Sequence, residues 1–324
     1  MMNRKFISDK NDITTDWLST ILKRDVVSFI AETDQSNWSK QIRILVELAN
    51  GEQKNLRLKI CLGENFGPSE VEYYTRDYVN LESAPLVHCW SALFYKSLGY
   101  NILLDDLATT HTNRRDILPS LEYGMAIAEA LGQMHRHHWQ SQPAPSSKAI
   151  NRYFNEIEPG VAPMEHVTGQ VFTNRYGIHK KHLQQRLSDF RGMSLLHGDL
   201  NSMNILTPQS AEKPVYFIDR QPFEWSLTYS IAVYDLAYCL VLWWPEHIRA
   251  TYEAKILRHW YEQIGDDTYT WHQTIADWRL AVEQCIHVPM EWCSKSETVE
   301  KMRWLWEIQL KSVNSSIESS RHIT

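Results

Sequence analysis

The sequence predicts an α+β chain in two parts, an antiparallel sheet followed by a mainly helical half. Three observations carry that expectation. Alternating apolar runs gather in the first hundred residues, notably Ile42 to Ala49 and Leu56 to Cys61, joined through Asn50-Gly51. Apolar residues then recur at helical spacing from Glu122 to Trp139 and again from Trp243 to the end. At 324 residues the chain is long enough for two lobes and a sizeable core.

Composition narrows the class. Hydrophobic residues at 43% and charged residues at 22% are ordinary for a soluble globular protein. A net charge of −6 without a basic run argues against nucleic acid, and it tolerates a cationic small molecule without demanding one. Cys61, Cys89, Cys239, Cys285 and Cys293 are scattered and contain no C-x-x-C pair, the usage of reduced thiols in the cytoplasm. The first seventeen residues lack the apolar core of a signal peptide, and the most apolar stretch, Ile231 to Trp244, is too short for a bilayer and contains Asp235. A cytoplasmic protein that does not enter the membrane is expected.

Taken in order, Asp12 to Leu18 reads as a capped helix start, with Leu18, Ile21 and Leu22 on one face. Val26 to Ala31, Ile42 to Ala49 and Leu56 to Cys61 read as strands, and Lys59 faces away from Leu58 and Ile60. A lone strand lysine ordinarily points to water. A helix starts near Pro68-Ser69-Glu70, and Tyr100 to Leu107 is an apolar strand ending in acids. The helix Glu122 to Trp139 bears Met125, Ala128, Leu131, Met134, His135 and His138 along one broad stripe. His135, His137 and His138 invite a metal reading, but without a Cys or carboxylate cluster the core reading is stronger. Gln140 to Lys148 is a Pro/Ser-rich connector, and residues 150–190 look weakly patterned, helical and polar only from His179 to Arg191.

The stretch Leu195 to Asp219 concentrates the chemistry. Asn204-Ile205-Leu206 and Val215 to Ile218 are β-prone, and the segment between them holds two prolines that force a turn. Paired antiparallel, they set Asn204 beside Asp219, with Asp199 one loop away. Two of these three oxygen-bearing side chains suit a hard cation such as Mg²⁺. Beyond them, Asp235 lies in an apolar helical pattern and must be hydrogen-bonded. Thirteen tryptophans are mostly core at helical spacing. Some, Trp243 and Trp292 among them, suit a pocket for a ring or an ammonium group. The segment His287 to Trp292, with Glu291, reads as an interruption of the helices facing the cleft.

His197-Gly198-Asp199 followed by Asn204, then Ile218-Asp219, resembles the catalytic and metal-binding segments of the protein-kinase-like phosphotransferases. Gly198, where protein kinases write Arg, is similar to the small-molecule branch, the aminoglycoside phosphotransferases and choline kinases. Ile218-Asp219-Arg220-Gln221 and Glu70-x-x-Tyr73-Tyr74 resemble the ecdysteroid-kinase-like group within it. The resemblance implies a bilobal protein-kinase-like fold, with the boundary at Asp105-Asp106 between a sheet N-lobe, 1–105, and a helical C-lobe, 106–324. It implies transfer of the γ-phosphoryl group of ATP, or GTP, to a hydroxyl of a small molecule. Asp199 would be the proton acceptor, Asn204 and Asp219 the Mg²⁺ ligands, and Lys59, held by Glu70 (or Glu72), the partner of the α- and β-phosphates. Leu104 and Asp105 would lie at the adenine hinge, His197 would shape the loop, and Asp235 would cap its backbone. The segment Glu32 to Lys40, where a glycine-rich phosphate loop is expected, contains no glycine. Ser36, Asn37 and Ser39 would donate hydrogen bonds there instead. That departure keeps a catalytically silent nucleotide-binding pseudokinase as the alternative. Gly198 and the short span after Asp219 argue against a protein kinase.

Overall fold

The structure, a computed structural model, describes residues 5–35, 39–113, 117–210 and 214–323. In chain order the elements are α1 (Thr15–Leu22), β1 (Val26–Gln35), β2 (Lys40–Leu48), β3 (Gln53–Leu62), α2 (Ser69–Glu72), β4 (Cys89–Tyr95), β5 (Gly99–Asp105) and β6 (His111–Thr112). There follow α3 (Leu121–His137), α4 (Ser147–Ile157), α5 (Val161–Thr168), α6 (Thr173–Arg186), β7 (Met193–Leu195), β8 (Ile205–Pro208), β9 (Tyr216–Phe217) and β10 (Tyr229–Ile231). The chain ends in α7 (Val233–Trp243), α8 (Glu246–Ile264), α9 (Trp271–Gln284), α10 (His287–Cys293), α11 (Ser296–Lys301) and α12 (Arg303–Ser320). A π-helical turn, Tyr73–Asp77, continues α2.

These elements form two compact units. One takes the chain up to Thr112 together with Leu206–Glu224; the other takes Asn113–Ile205 and the chain from Trp225 onward. This differs from a single cut at Asp105-Asp106. The later segment joins the first unit because β8 pairs with β6 and the Phe217 amide donates to the Pro85 carbonyl at 2.8 Å.

The first unit is built on a five-stranded antiparallel sheet in the order β1-β2-β3-β5-β4. Alternation dictates its faces. Ile42, Ile44, Val46 and Leu48 of β2 and Leu56, Leu58 and Ile60 of β3 are buried in one cluster with Trp17, Leu18 and Leu22 of α1. Each such side chain contributes about 1.5–3 kcal/mol on leaving water. The α1 helix begins at Thr15, not Asp12: the Thr14 hydroxyl accepts from the Trp17 amide, while Asp12 closes a separate 3-10 turn, Lys10–Asp12. β1 runs four residues past Ala31 and pairs with β2 along its length.

The second unit is helical around α7, in which every residue from Val233 to Leu242 is buried. α3 packs along α8, and Gly132 makes that approach possible, since a Cβ there would lie 2.4 Å from Cβ of Gln263. The buried stripe of α3 centres on Ile127, Leu131 and Met134, leaving Met125 and His138 partly exposed. Residues 150–190 are more regular than expected and hold α4, α5 and α6. The segment His287 to Trp292 does not interrupt the helices but forms α10; Pro289 sits in its first turn, where a missing N–H costs nothing. Trp260, Trp278 and Trp306 are fully buried, as expected of core residues, whereas Trp304 is 59% exposed. None of the five cysteines is in a disulfide.

Candidate active site

The first unit surrounds Lys59. The face of β3 opposite α1 carries Lys59, which is buried rather than in water because the Ser69–Asp77 turns bring carboxylates to that face. Its Nζ lies 2.7 Å from Oε2 of Glu70 and 3.2 Å from Oδ1 of Asp219. Burial works against the lysine charge, but Asp219 and Glu70 outweigh it and raise its pKa above the ordinary lysine value. Burial likewise pushes the Glu70 carboxyl up, against the pull of Lys59. The Tyr100 hydroxyl donates to the same Glu70 oxygen. Glu72, the other candidate on this helix, instead meets Arg76 at 2.9 Å on the exposed side.

Asp219 has the left-handed backbone, φ +60°, that aspartate tolerates better than most residues, and its side chain is 37% exposed. The next residue anchors it. Arg220 is 2% exposed, donates from Nη1 to Oδ2 of Asp77 at 2.6 Å and to the Ser69 carbonyl at 3.4 Å, and lies over the Tyr73 ring. Asp77 closes the π-helical turn that continues from Glu70, so one buried ion pair joins the end of the hairpin segment to the helix that holds Lys59. Sequence reasoning uses Arg220 only as a branch marker and misses this contact. The signal is weak, a lone arginine after an Ile-Asp pair.

In the second unit, β7 pairs antiparallel with β10 and delivers the loop that carries Asp199. Gly198 has φ +79°, a conformation glycine takes without strain. Asp235 of α7 holds the turn: Oδ2 accepts from the His197 amide at 2.7 Å and Oδ1 from the Gly198 amide at 2.8 Å. Burial would push the Asp235 carboxyl up, yet the hydrogen bond from His135 and the Gly198 amide hold it below the usual carboxylate range. His135 is thereby explained without a metal. The Trp260 indole donates to its Nδ1 at 3.0 Å, so Nε2 carries the proton and faces Oδ2 of Asp235 at 3.2 Å. The His197 ring accepts from the Asp199 amide at 3.3 Å, a loop-shaping contact.

The Asp199 carboxylate is tightly specified. Oδ1 accepts from the Tyr238 hydroxyl at 2.7 Å and from Nδ2 of Asn201 at 3.1 Å; Oδ2 accepts from Nδ2 of Asn204 at 3.2 Å. Asn204 also donates to the Asp199 carbonyl at 2.8 Å. Its amide nitrogen is therefore committed to Asp199, which leaves its carbonyl oxygen as the side chain's acceptor. Amide and carboxylate oxygens are the donor chemistry that Mg²⁺ prefers, and Asn204 in the second unit and Asp219 in the first each carry one. Sequence reasoning passes over Tyr238 and Asn201.

The remaining candidates are placed less directly. Ser36 and Asn37 lie outside the described residues; the Ser39 hydroxyl accepts from Gln41 at 3.0 Å. Leu104 is paired within the sheet, and the amides of Asp105 and Asp106 donate to the carbonyls of His88 and Asn55 at 3.0 Å, so both are engaged inside the unit. The Asp105 carboxylate accepts from the Trp90 indole at 2.7 Å. Glu291 is half-buried, and burial raises its carboxyl, helped by the negative charges of Glu156 and Asp199 and opposed by Lys295. The indole nitrogens of Trp243 and Trp292 are buried without a hydrogen-bond partner.

Solved structures of similar fold include an ethanolamine kinase from Plasmodium vivax, 14% identical with a TM-score of 0.59, covering 90% of this chain and 83% of that one. Another is a putative fructosamine-3-kinase from Thermobifida fusca, 12% identical with a TM-score of 0.53, covering 93% and 98%. No curated protein matches the chain in sequence. The profile of the phosphotransferase enzyme family matches residues 54–273, a span that takes in Lys59, Glu70, Asp199, Asn204, Asp219 and Asp235. With more than half of its length matched, the chain belongs to the phosphotransferase enzyme family.

Proposed function

We propose that the protein transfers the γ-phosphoryl group of ATP, or GTP, to a hydroxyl of a small molecule in the cytoplasm. The observation that carries the reading is the Asp199 carboxylate, held by three side-chain donors on a loop whose backbone is itself held by a buried aspartate. A carboxylate so fixed is suited to orient an acceptor hydroxyl and take its proton, while positioning and charge stabilisation supply most of the acceleration. Lys59, kept charged by Glu70 and Asp219, meets the α- and β-phosphates. Asn204 and Asp219 would hold Mg²⁺, which would supply positive charge against the phosphates. Leu104 and Asp105 lie at the adenine hinge. Glu291, Trp292 and Trp243 line the acceptor side, where an amino alcohol, a sugar, an antibiotic or a specialised metabolite would sit. The ecdysteroid-kinase-like branch is supported by Ile218-Asp219-Arg220-Gln221. Among the described residues no helix is long and apolar enough to cross a membrane.

The test is ATP consumption by the purified protein with Mg²⁺ against a panel of small hydroxylated metabolites and antibiotics, beside Asp199→Ala. Substrate-dependent turnover is expected to fall at least about 10³-fold in the variant, with nucleotide binding retained. The glycine-free segment Glu32 to Lys40 favours a second reading, a pseudokinase that binds nucleotide without transferring it. Bound Mg-ATP with no turnover across the panel would select that reading.

A further inference from the structure

We propose that Tyr238 is a positioning residue for phosphoryl transfer: its hydroxyl fixes the Asp199 carboxylate in the orientation that receives the acceptor's proton. The inference rests on the phosphotransfer reading but on an observation of its own. Asp235 and Tyr238 stand three residues apart on α7, so they share a face of the helix. One turn of a buried helix therefore grips the loop twice, Asp235 by the amides of His197 and Gly198, Tyr238 by the carboxylate of Asp199.

The hydroxyl can act in only one sense. Burial, and after it the negative charge of Asp199, raises the Tyr238 phenol well above its ordinary pKa, so it stays protonated and donates. A phenol is also a stiff donor, with two side-chain torsions, and this ring is 7% exposed and packed edge-on against Tyr234. Asn201 donates to the same oxygen at 3.1 Å, a longer contact from a less buried residue. With Oδ1 occupied by two donors, Oδ2, touched by Asn204 at 3.2 Å, is the oxygen presented to the acceptor. Losing Tyr238 lets the carboxylate rotate about its last torsion, and misalignment of a reacting oxygen by about 1 Å costs on the order of 10²-fold in rate.

Tyr238→Phe keeps the ring and removes only the donor. The expected result is a kcat lowered about 10- to 100-fold, with the KM for ATP within error of wild type. Adding Asn201→Ala should produce a loss in kcat larger than the product of the single losses, because the two donors back each other on one oxygen. An unchanged kcat in Tyr238→Phe, or a KM for ATP that rises while kcat holds, overturns the proposal. A readout without turnover separates this from the phosphotransfer reading. In tyrosine-labelled protein, NMR should show a slowly exchanging hydroxyl proton for Tyr238 that disappears in both Tyr238→Phe and Asp199→Ala. If wild type turns nothing over but the proton behaves in this way, the phosphotransfer reading fails and the contact stands; if the proton survives Asp199→Ala, the contact itself is refuted.

Discussion

The surroundings of Lys59 and of Asp199 are built from different materials. Around Lys59 the groups are charged and alternate in sign: Lys59 with Glu70 and Asp219, then Arg220 with Asp77, and Asp77 in turn with Arg76 at 2.8 Å. Around Asp199 the donors to carboxylates are neutral: main-chain amides, an imidazole, a phenol and two carboxamides. The proposed function accounts for the contrast. A group that meets phosphates must keep a positive charge while buried, and only compensating carboxylates allow that. A group that accepts a proton must keep its orientation without a cation clamped on it, and neutral donors hold orientation at less electrostatic cost. The lesson is that the first region should fail as a charge balance and the second as a geometry.

The sharpest way to break the charge balance is Asp77→Ala, which removes the carboxylate from a guanidinium that is 2% exposed. Stripping one partner from a buried pair costs about 3–5 kcal/mol, measurable by urea unfolding. Arg220→Met should cost less, because Arg76 remains on Asp77. The double variant Asp77→Leu/Arg220→Met should recover much of the loss of Asp77→Ala, since an apolar pair of similar volume strands no charge. Simple additivity of the two single losses would count against a charge-balanced region.

Asp235→Asn probes the second region. The carboxylate accepts on both oxygens, and an asparagine would turn an NH₂ group toward one of the loop amides. Hydrogen bonds to a charged group contribute about 1.5–3 kcal/mol, so the expected loss lies in that range, with turnover falling as the Asp199 loop loosens. The sign of the pH dependence follows from the depressed pKa. A carboxylate whose folded value lies below its unfolded value, near the ordinary 3.8, adds stability above that pH and loses it as pH falls through the folded value. Wild type should therefore lose stability below about pH 4 more steeply than Asp235→Asn. Parallel acid limbs would show that the carboxylate is not depressed.

The two regions were also unequally legible in sequence. The sheet, the Asn50-Gly51 turn and the long helix before the connector follow from alternation and helical spacing, which burial enforces directly. Lys59 is different. Alternation places it opposite Leu58, but its burial comes from a helix beyond the sheet, and the family motif alone indicates that. α4 could have been found, because Ile150, Tyr153, Phe154 and Ile157 fall at i, i+3, i+4 and i+7 and are all buried; polar residues between them mask the stripe. Tyr238 and Arg220 could not. Their partners lie 39 and 143 residues away in the chain, and nothing local in an apolar helix or after an Ile-Asp pair announces a contact at that range.

Glu72→Ala gives the smallest effect and sharpens the comparison most cheaply. Glu70 and Glu72 are two residues apart at the start of one helix, and sequence alone leaves either as the partner of Lys59. Helix geometry separates them: residues two apart point about 200° apart around the axis, so when one faces the sheet the other faces out. Glu72 meets Arg76, whose side chain is 61% exposed, in an i, i+4 pair. Such a pair is worth about 0.3–0.5 kcal/mol, and salt screens it. Glu72→Ala should therefore shift the unfolding midpoint slightly, less at high salt, and leave ATP affinity unchanged. Glu70→Ala should weaken ATP binding, because Lys59 would then have Asp219 alone to hold it. If instead Glu72→Ala weakened nucleotide binding and Glu70→Ala did not, the buried ion pair would be structural and the phosphate grip would have to be sought elsewhere in the first unit.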